Sequence, residues 1–268
     1  MARIVQVSDS HLSPTVAYAN ENWAGVVEEV RRLQPELVVH SGDLSLDGAT
    51  RPADLEHAWP LLHELPQPWR VIPGNHDIGD IASSDDPIDE ERRARWTQLF
   101  GDGSWTVDLD GWRLVGLDVQ TLCSSLPQAA DLWEWLGDVT ATDAPLVLFI
   151  HRPICPLDPS DDDDPNRYVP SPDRERLLTL VRERDVRLVA SGHVHQWRQG
   201  TIDRLPHVWA PSTWASLPDW IQPRIGTKVT GMVSIELDHE VHVELLRPPA
   251  VADVVIGDDF ESPYGGDH

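Results

Sequence analysis

The spacing of three short motifs is the strongest constraint on what this chain can fold into. Asp9-Ser10-His11, Gly42-Asp43 and Gly74-Asn75-His76-Asp77 follow one another with 34 residues from Asp9 to Asp43 and 32 from Asp43 to Asn75. One strand–helix–strand crossover takes about 30 residues. Apolar runs at Arg3–Ser8, Leu37–His40 and Trp69–Ile72 lead into the three motifs. Between the first two, Trp23, Val26, Val27, Val30 and Leu33 repeat at the spacing of one helical face within Asn20–Leu33, and Pro35 stops that helix. Leu55–Leu65 reads as a second helix. The first third is therefore expected to fold as β-α-β-α-β, with parallel neighbours and right-handed crossovers.

The pattern continues through the chain. Glu90–Phe100 and Asp131–Leu136 read as helices, and Trp105–Leu109 and Trp112–Asp118 flank the Asp110-Gly111 turn of a hairpin. The unbroken apolar strand Leu146–Ile150 leads to His151, and a Pro- and Asp-rich loop follows over Cys155–Pro172. Helix Arg174–Arg184 and strand Arg187–Ala190 then lead to Gly192-His193-Val194-His195. Short alternating strands near Gly200–Ile202, His207–Ala210, Gly231–Leu237 and Glu240–Leu246 predict an antiparallel half. No repeat or linker divides the chain, so 1–247 is expected to be one domain. The acidic, Gly/Pro-rich residues 248–268 are expected to form a loosely held tail.

The length of 268 residues suits one large core. The apolar share of 40% is ordinary for a globular chain, and no run approaches the roughly 20 apolar residues of a membrane helix. No membrane partner is expected. The first residues run directly into a strand and leave no room for a signal peptide, which predicts a cytoplasmic protein. Cys123 and Cys155 are too few for a disulfide framework and read as structural thiols. A formal net charge of −24 disfavours polymeric nucleic acid and anionic membranes. It favours a small substrate whose negative charge is neutralised locally. The run Asp161-Asp162-Asp163-Asp164 reads as a solvated loop.

Asp9 and His11, Asp43, Asn75, His151, and His193 and His195 all stand just after apolar strands. Open α/β sheets place such residues together at the carboxyl ends of their strands. Carboxylate, imidazole and carboxamide oxygen are donors for hard or borderline divalent ions, and the set has enough ligands for two. Asp43 lies between the motifs that would serve separate ions, and a carboxylate can bridge two cations. Asn75 would ligate without adding charge. His40 reads as a buried strand histidine behind the site, and His207 as a structural one.

Asp-x-His, Gly-Asp, Gly-Asn-His-Asp, His and Gly-His-x-His, in this order over residues 3 to 247, resemble the calcineurin-like metallophosphoesterase family. Within it, the Gly-Asp-Leu segment and the Asp-Gly-Trp-Arg-Leu hairpin look most like bacterial class III cyclic-nucleotide phosphodiesterases and glycerophosphodiesterases. The resemblance implies an α/β fold: a four-layer α-β-β-α sandwich with two mixed β-sheets and a dinuclear metal site at the strand carboxyl ends. It implies that Asp9, His11 and His195 hold one ion, that Asn75, His151 and His193 hold the other, and that Asp43 bridges them. A hydroxide between the ions would attack phosphorus in line. His76 would stabilise the transition state or protonate the leaving oxygen, and Asp77 would orient His76. The metals would be manganese, iron, zinc or cobalt.

The residue after His151 is Arg152, where that branch often has a second histidine. Arg152 is expected either to clamp phosphate oxygens at the mouth or to pair with an acid. Trp197 and Trp214, with Trp220, are candidates for an aromatic wall around the substrate, Arg167 and Tyr168 weaker ones. The Cys155–Pro172 loop is expected to overhang the metals. The expected reaction is hydrolysis of a small anionic phosphodiester, a cyclic nucleotide or glycerophosphodiester. The alternatives are a phosphomonoesterase acting on a nucleotide, sugar phosphate or pathway intermediate, or a catalytically silent scaffold. No partner subunit is specified.

Overall fold

Strand faces with period two decide the layering. The computed structural model describes residues 1–81 and 86–257. Its elements are β1 (Ala2–Val7), α1 (Ala17–Leu33), β2 (Leu37–His40), α2 (Pro52–Leu62), β3 (Trp69–Val71), the single turn α3 (Asn75–Ile78), α4 (Glu90–Phe100), β4 (Trp105–Leu109) and β5 (Trp112–Leu117). They continue with α5 (Val119–Leu122), α6 (Gln128–Val139), β6 (Leu146–Ile150), α7 (Asp173–Glu183), β7 (Val186–Ser191), β8 (Arg198–Ile202), β9 (Leu205–Trp209), β10 (Met232–Leu237) and β11 (Val241–Leu246). One sheet runs β11-β10-β1-β2-β3 and the other β4-β5-β6-β7-β9-β8.

Alternate residues of each strand enter different cores. Ile4, Val39, Leu114, Val147 and Val233 meet between the sheets. Their chain neighbours Val5 and Val38 face Trp23, Val26, Leu55 and Trp96 of α1, α2 and α4. Val115 and Leu148 face Trp133, Leu136, Leu177 and Val181 of α6 and α7. The result is the expected four-layer sandwich. The pairs β1–β2 and β2–β3 are parallel, as the 34- and 32-residue spacings predict. The helix α2 begins three residues earlier than its apolar pattern suggests, because Pro52 pre-sets the backbone of the first turn.

Three expectations change. The last strands pair antiparallel as expected in β8–β9, β10–β11 and β1–β10, but they divide between the two sheets. The tight β8–β9 hairpin returns β9 parallel to β7, while β10 and β11 extend the first sheet beside β1. The segment from Pro248 is held as far as Ile256. Asn22 exchanges two hydrogen bonds with the Ala252 backbone, and Val254 and Ile256 are buried in the cluster that contains Trp214. Three apolar anchors, Val251 included, outweigh an acidic average. The rest of the expected tail, 258–268, lies outside the described residues. The acidic run is pinned, since Asp161, Asp163 and Asp164 pair with Arg198, Arg174 and Arg167. No helix among the described residues is long and apolar enough to cross a membrane.

Candidate metal centre

Strands β1, β2 and β3 of one sheet and β6 and β7 of the other end at the same edge of the sandwich, and their loops face each other there. Donor atoms of Asp9, His11 and His195 lie within 4.8 Å of one another, as do those of Asp43, His151 and His193. His11 Nε2 is 3.1 Å from His195 Nε2, and His195 Nε2 is 3.4 Å from Asp9 Oδ1. Across the centre, Asp43 Oδ2 is 3.3 Å from His151 Nε2 and 3.9 Å from His11 Nε2, and Asn75 Oδ1 is 3.1 Å from His151 Nε2. Two ligands bound tetrahedrally to one ion at 2.0–2.1 Å stand about 3.3 Å apart. The spacings therefore fit two divalent ions that share Asp43. A third set, His11, Asp43 and His76, has equally close donors.

Backbone carbonyls fix one ring nitrogen each of His151, His195 and His193, which sets ring orientation and tautomer. His151 Nδ1 is 2.9 Å from the Ser41 oxygen, and His195 Nδ1 is 2.8 Å from that of Ala215. His193 differs: its Nε2 is 2.7 Å from the Asn166 oxygen, which leaves Nδ1 as the nitrogen that could ligate. Behind the ligands, His40 Nε2 meets Ser10 Oγ at 2.5 Å. His207 borders a depression lined by the β8–β9 and β10–β11 turns, away from the metal donors.

Backbone strain collects at this site. Among the described residues nine non-glycine residues have positive φ, and five of them are Asp9, His11, Asp43, His193 and His195. Each such residue costs on the order of 1 kcal/mol. The surroundings hold them there: Asp9 and His11 donate backbone N–H groups to the Gly42 and Asp43 carbonyls, and His193 N–H donates to the Asp9 carboxylate.

The field of the site is that of a cation trap. Burial disfavours a charged His151, yet the adjacent Asp43 outweighs it and raises the ring's pKa to about 9. Burial likewise opposes ionisation of Asp43, but His151 and then His76 hold its carboxyl well below the usual range. Burial drives His11 and His193 well down, toward the neutral form that ligates. A proton on His151 thus stands where a metal's charge would act, and metal uptake is expected to release it.

Two glycines are required by space. Gly42 has φ +100°, and a Cβ there would lie 2.4 Å from His151 Nδ1. Gly74 has an ordinary negative φ, but its Cβ would lie 2.1 Å from Asp43 Oδ1. Gly74→Ala is therefore expected to displace the shared carboxylate. We expect metal affinity to fall by about 10–100-fold, the range for disturbed ligand support, with the thermal transition retained. Calorimetric titration with manganese checks this, and unchanged affinity would contradict the placement.

His76 lines the cavity above the donors, with Nδ1 2.8 Å from the Leu46 oxygen and its backbone N–H donating to Asp43 Oδ1 at 2.9 Å. Asp77 does not orient it. Neighbouring residues of a helical turn point apart, and the buried Asp77 carboxylate instead accepts the backbone N–H groups of Gly74, Leu44 and Ser45 and the Ser45 hydroxyl. It ties the second and third motifs together. Arg152 is buried and does not reach the mouth. It pairs with Asp80 at 2.7 Å and donates to the carbonyls of Pro165 and Asn166. Trp197 bridges Thr227 and packs at the inter-sheet core, outside the cavity lining. Trp214 lines the cavity, 4.6 Å from the His11 ring.

The cavity over the donors is about 470 Å³. Asp164, Asn166 and Arg167 from the 155–172 loop form one wall, and Trp214, Leu217, Ile221 and Ile256 line the cavity as apolar residues. Ile256 and Asp164 are not read from the sequence, because acidic composition conceals them. The only available signal is the length of the loop that leaves β6.

This fold, with paired donor clusters where two sheets meet, defines the architecture of a metal-dependent phosphoric ester hydrolase. Residues 2–197 match the calcineurin-like phosphoesterase family, and the chain belongs to it. A protein of Synechococcus sp. named a probable cyclic nucleotide phosphodiesterase is 29% identical over 210 residues, 72% of this chain and 73% of the relative. The glycerophosphodiester phosphodiesterase GpdQ of Enterobacter lignolyticus is 34% identical over 209 residues, 70% of this chain and 68% of that protein. A dimetal phosphatase from Danio rerio shares the fold with TM-score 0.67 at 14% identity, covering 91% of this chain and 96% of its own.

Proposed function

We propose that the protein hydrolyses a small phosphodiester, a cyclic nucleotide or a glycerophosphodiester, and that Asp9, His11, His195, Asp43, Asn75, His151 and His193 hold two divalent ions of manganese, iron, zinc or cobalt. The observation that carries the diester reading is the lining of the cavity: polar loop residues on one wall and apolar Trp214, Leu217, Ile221 and Ile256 besides. A diester has two organic arms, and such a cavity has room and chemistry for an arm that stays as well as one that leaves. Bound at the donors, the ions supply charge neutralisation and a water acidified toward neutrality.

The chain's own residues do the rest. Asp43 is fixed for sharing by the His76 N–H. Water adds to phosphorus as the ester P–O bond breaks, and the leaving oxygen needs a proton. With Nδ1 directed at the Leu46 carbonyl, His76 gives that proton from Nε2. Burial of His11, Asp43 and His195 keeps bulk water from screening the developing charge.

Activity on bis(p-nitrophenyl) phosphate and p-nitrophenyl phosphate, across manganese, iron, zinc and cobalt, tests the reading. We expect kcat/KM for the diester to exceed that for the monoester by at least about tenfold, equivalent to 1.4 kcal/mol. A preference for the monoester would establish a phosphomonoesterase instead.

A further inference from the structure

We propose that Arg167 and Asp164 together select substrate by charge: Arg167 binds an outer oxygen of the singly charged diester, and Asp164 repels the second charge of a monoester. The proposal rests on the phosphoesterase reading above and deepens it. Among the described residues Arg167 is the one arginine or lysine that lines the cavity. Its side chain is 11% exposed, and Nη2 is 3.1 Å from Asp164 Oδ2. Its Nη1 is buried against the Tyr168 hydroxyl, which packs with Val194 and Trp209 behind the cavity wall. The guanidinium is thus held in place at the cavity wall, and phosphate oxygens are strong acceptors for guanidinium.

Asp164 is held as firmly. Its Oδ1 accepts the backbone and side-chain N–H groups of Asn166 at 2.9 and 3.0 Å, which leaves Oδ2 for Arg167. The turn is anchored from below. Arg152 donates to the Pro165 and Asn166 carbonyls, and the His193 ring meets the Asn166 carbonyl at 2.7 Å. A metal ligand and a buried arginine thus fix the Asp164–Arg167 turn over the centre. Rigid placement is what lets a charge pair discriminate.

The chemistry follows from formal charge. A diester carries one negative charge, and a monoester carries nearly two at neutral pH. Arg167 half-neutralised by Asp164 suits the first. The second brings an extra charge toward a fixed carboxylate.

The test uses manganese-loaded protein. In Asp164→Asn the amide oxygen can still accept from Asn166, but the charge is gone. We expect kcat/KM for p-nitrophenyl phosphate to rise about tenfold relative to the diester. Arg167→Gln is expected to raise KM for the diester about tenfold with kcat within a few-fold, and Arg167→Lys to restore part of the loss. Calorimetric binding gives a readout independent of turnover: Asp164→Asn should tighten inorganic phosphate by more than it tightens dimethyl phosphate. An unchanged diester-to-monoester ratio together with unchanged phosphate affinity in Asp164→Asn would overturn the proposal. A kcat loss in Arg167→Gln at constant KM would overturn the role of Arg167. A wild-type preference for monoesters bears on the diester reading alone, since the selector is judged by the change between variant and wild type.

Discussion

Asp43→Ala is expected to lose both metal equivalents and to lower kcat/KM by about 10⁴-fold or more, some 5.5 kcal/mol of transition-state stabilisation. Asp43 is 1% exposed and belongs to both the His151–His193 set and the His11–His76 set. Its two oxygens are separately employed. Oδ1 accepts the His76 N–H, and Oδ2 lies 3.3 Å from His151 Nε2 and 3.9 Å from His11 Nε2. Alanine removes the charge that draws cations to the centre and leaves the half-buried His76 N–H without its acceptor. Asp43→Asn separates these effects, because it keeps an acceptor of the same shape and discards the charge. It should fold with near-normal stability and still retain less than half of the wild-type metal. Elemental analysis after dialysis gives the answer, and full occupancy in both variants contradicts the shared role of Asp43.

His76→Ala is expected to behave differently, keeping two equivalents of metal while kcat falls by about 10²–10⁴-fold, the usual contribution of a positioned acid. The fall should be steepest for poor leaving groups, and a p-nitrophenolate leaving group, which needs no proton, should lose least. The experiment also resolves an ambiguity of geometry, since His76 lies close enough to His11 and Asp43 to serve as a ligand. Loss of one metal equivalent in His76→Ala would make it a ligand and contradict its role as proton donor.

The strand-end donors are legible in the sequence because their pattern is local. An apolar run that stops at a glycine, at Ser8 before Asp9, or directly at His151 shows both the strand and the residue exposed at its end. The layering is not legible in this way, since Ile4 and Val5, or Val147 and Leu148, are equally apolar yet enter different cores; it is expected from the family resemblance. What is not legible depends on partners far away in the chain. Arg152 looks like a phosphate clamp next to His151, but Asp80 and the Pro165 and Asn166 carbonyls draw it into the interior. Asp77 looks like a partner for His76, but the N–H groups of the 43–45 loop, more than 30 residues earlier, claim it. Trp197 is removed from the site by pairing with Thr227. The left-handed backbone of Asp9, His11, Asp43, His193 and His195 has only a weak signature in residue type: aspartate and histidine are enriched there, but most of the described ones in this chain keep negative φ.

Seven side chains from distant strand ends meet at the edge of the sandwich, and we propose that they hold two cations. Equilibrium dialysis of metal-free protein against manganese or zinc at neutral pH, followed by elemental analysis, measures this directly. The account predicts about two equivalents per chain, with proton release on binding and cleavage of an aryl phosphodiester by the loaded protein. A stoichiometry of one or less, with no phosphorus–oxygen bond cleaved in aryl mono- or diesters, would contradict it.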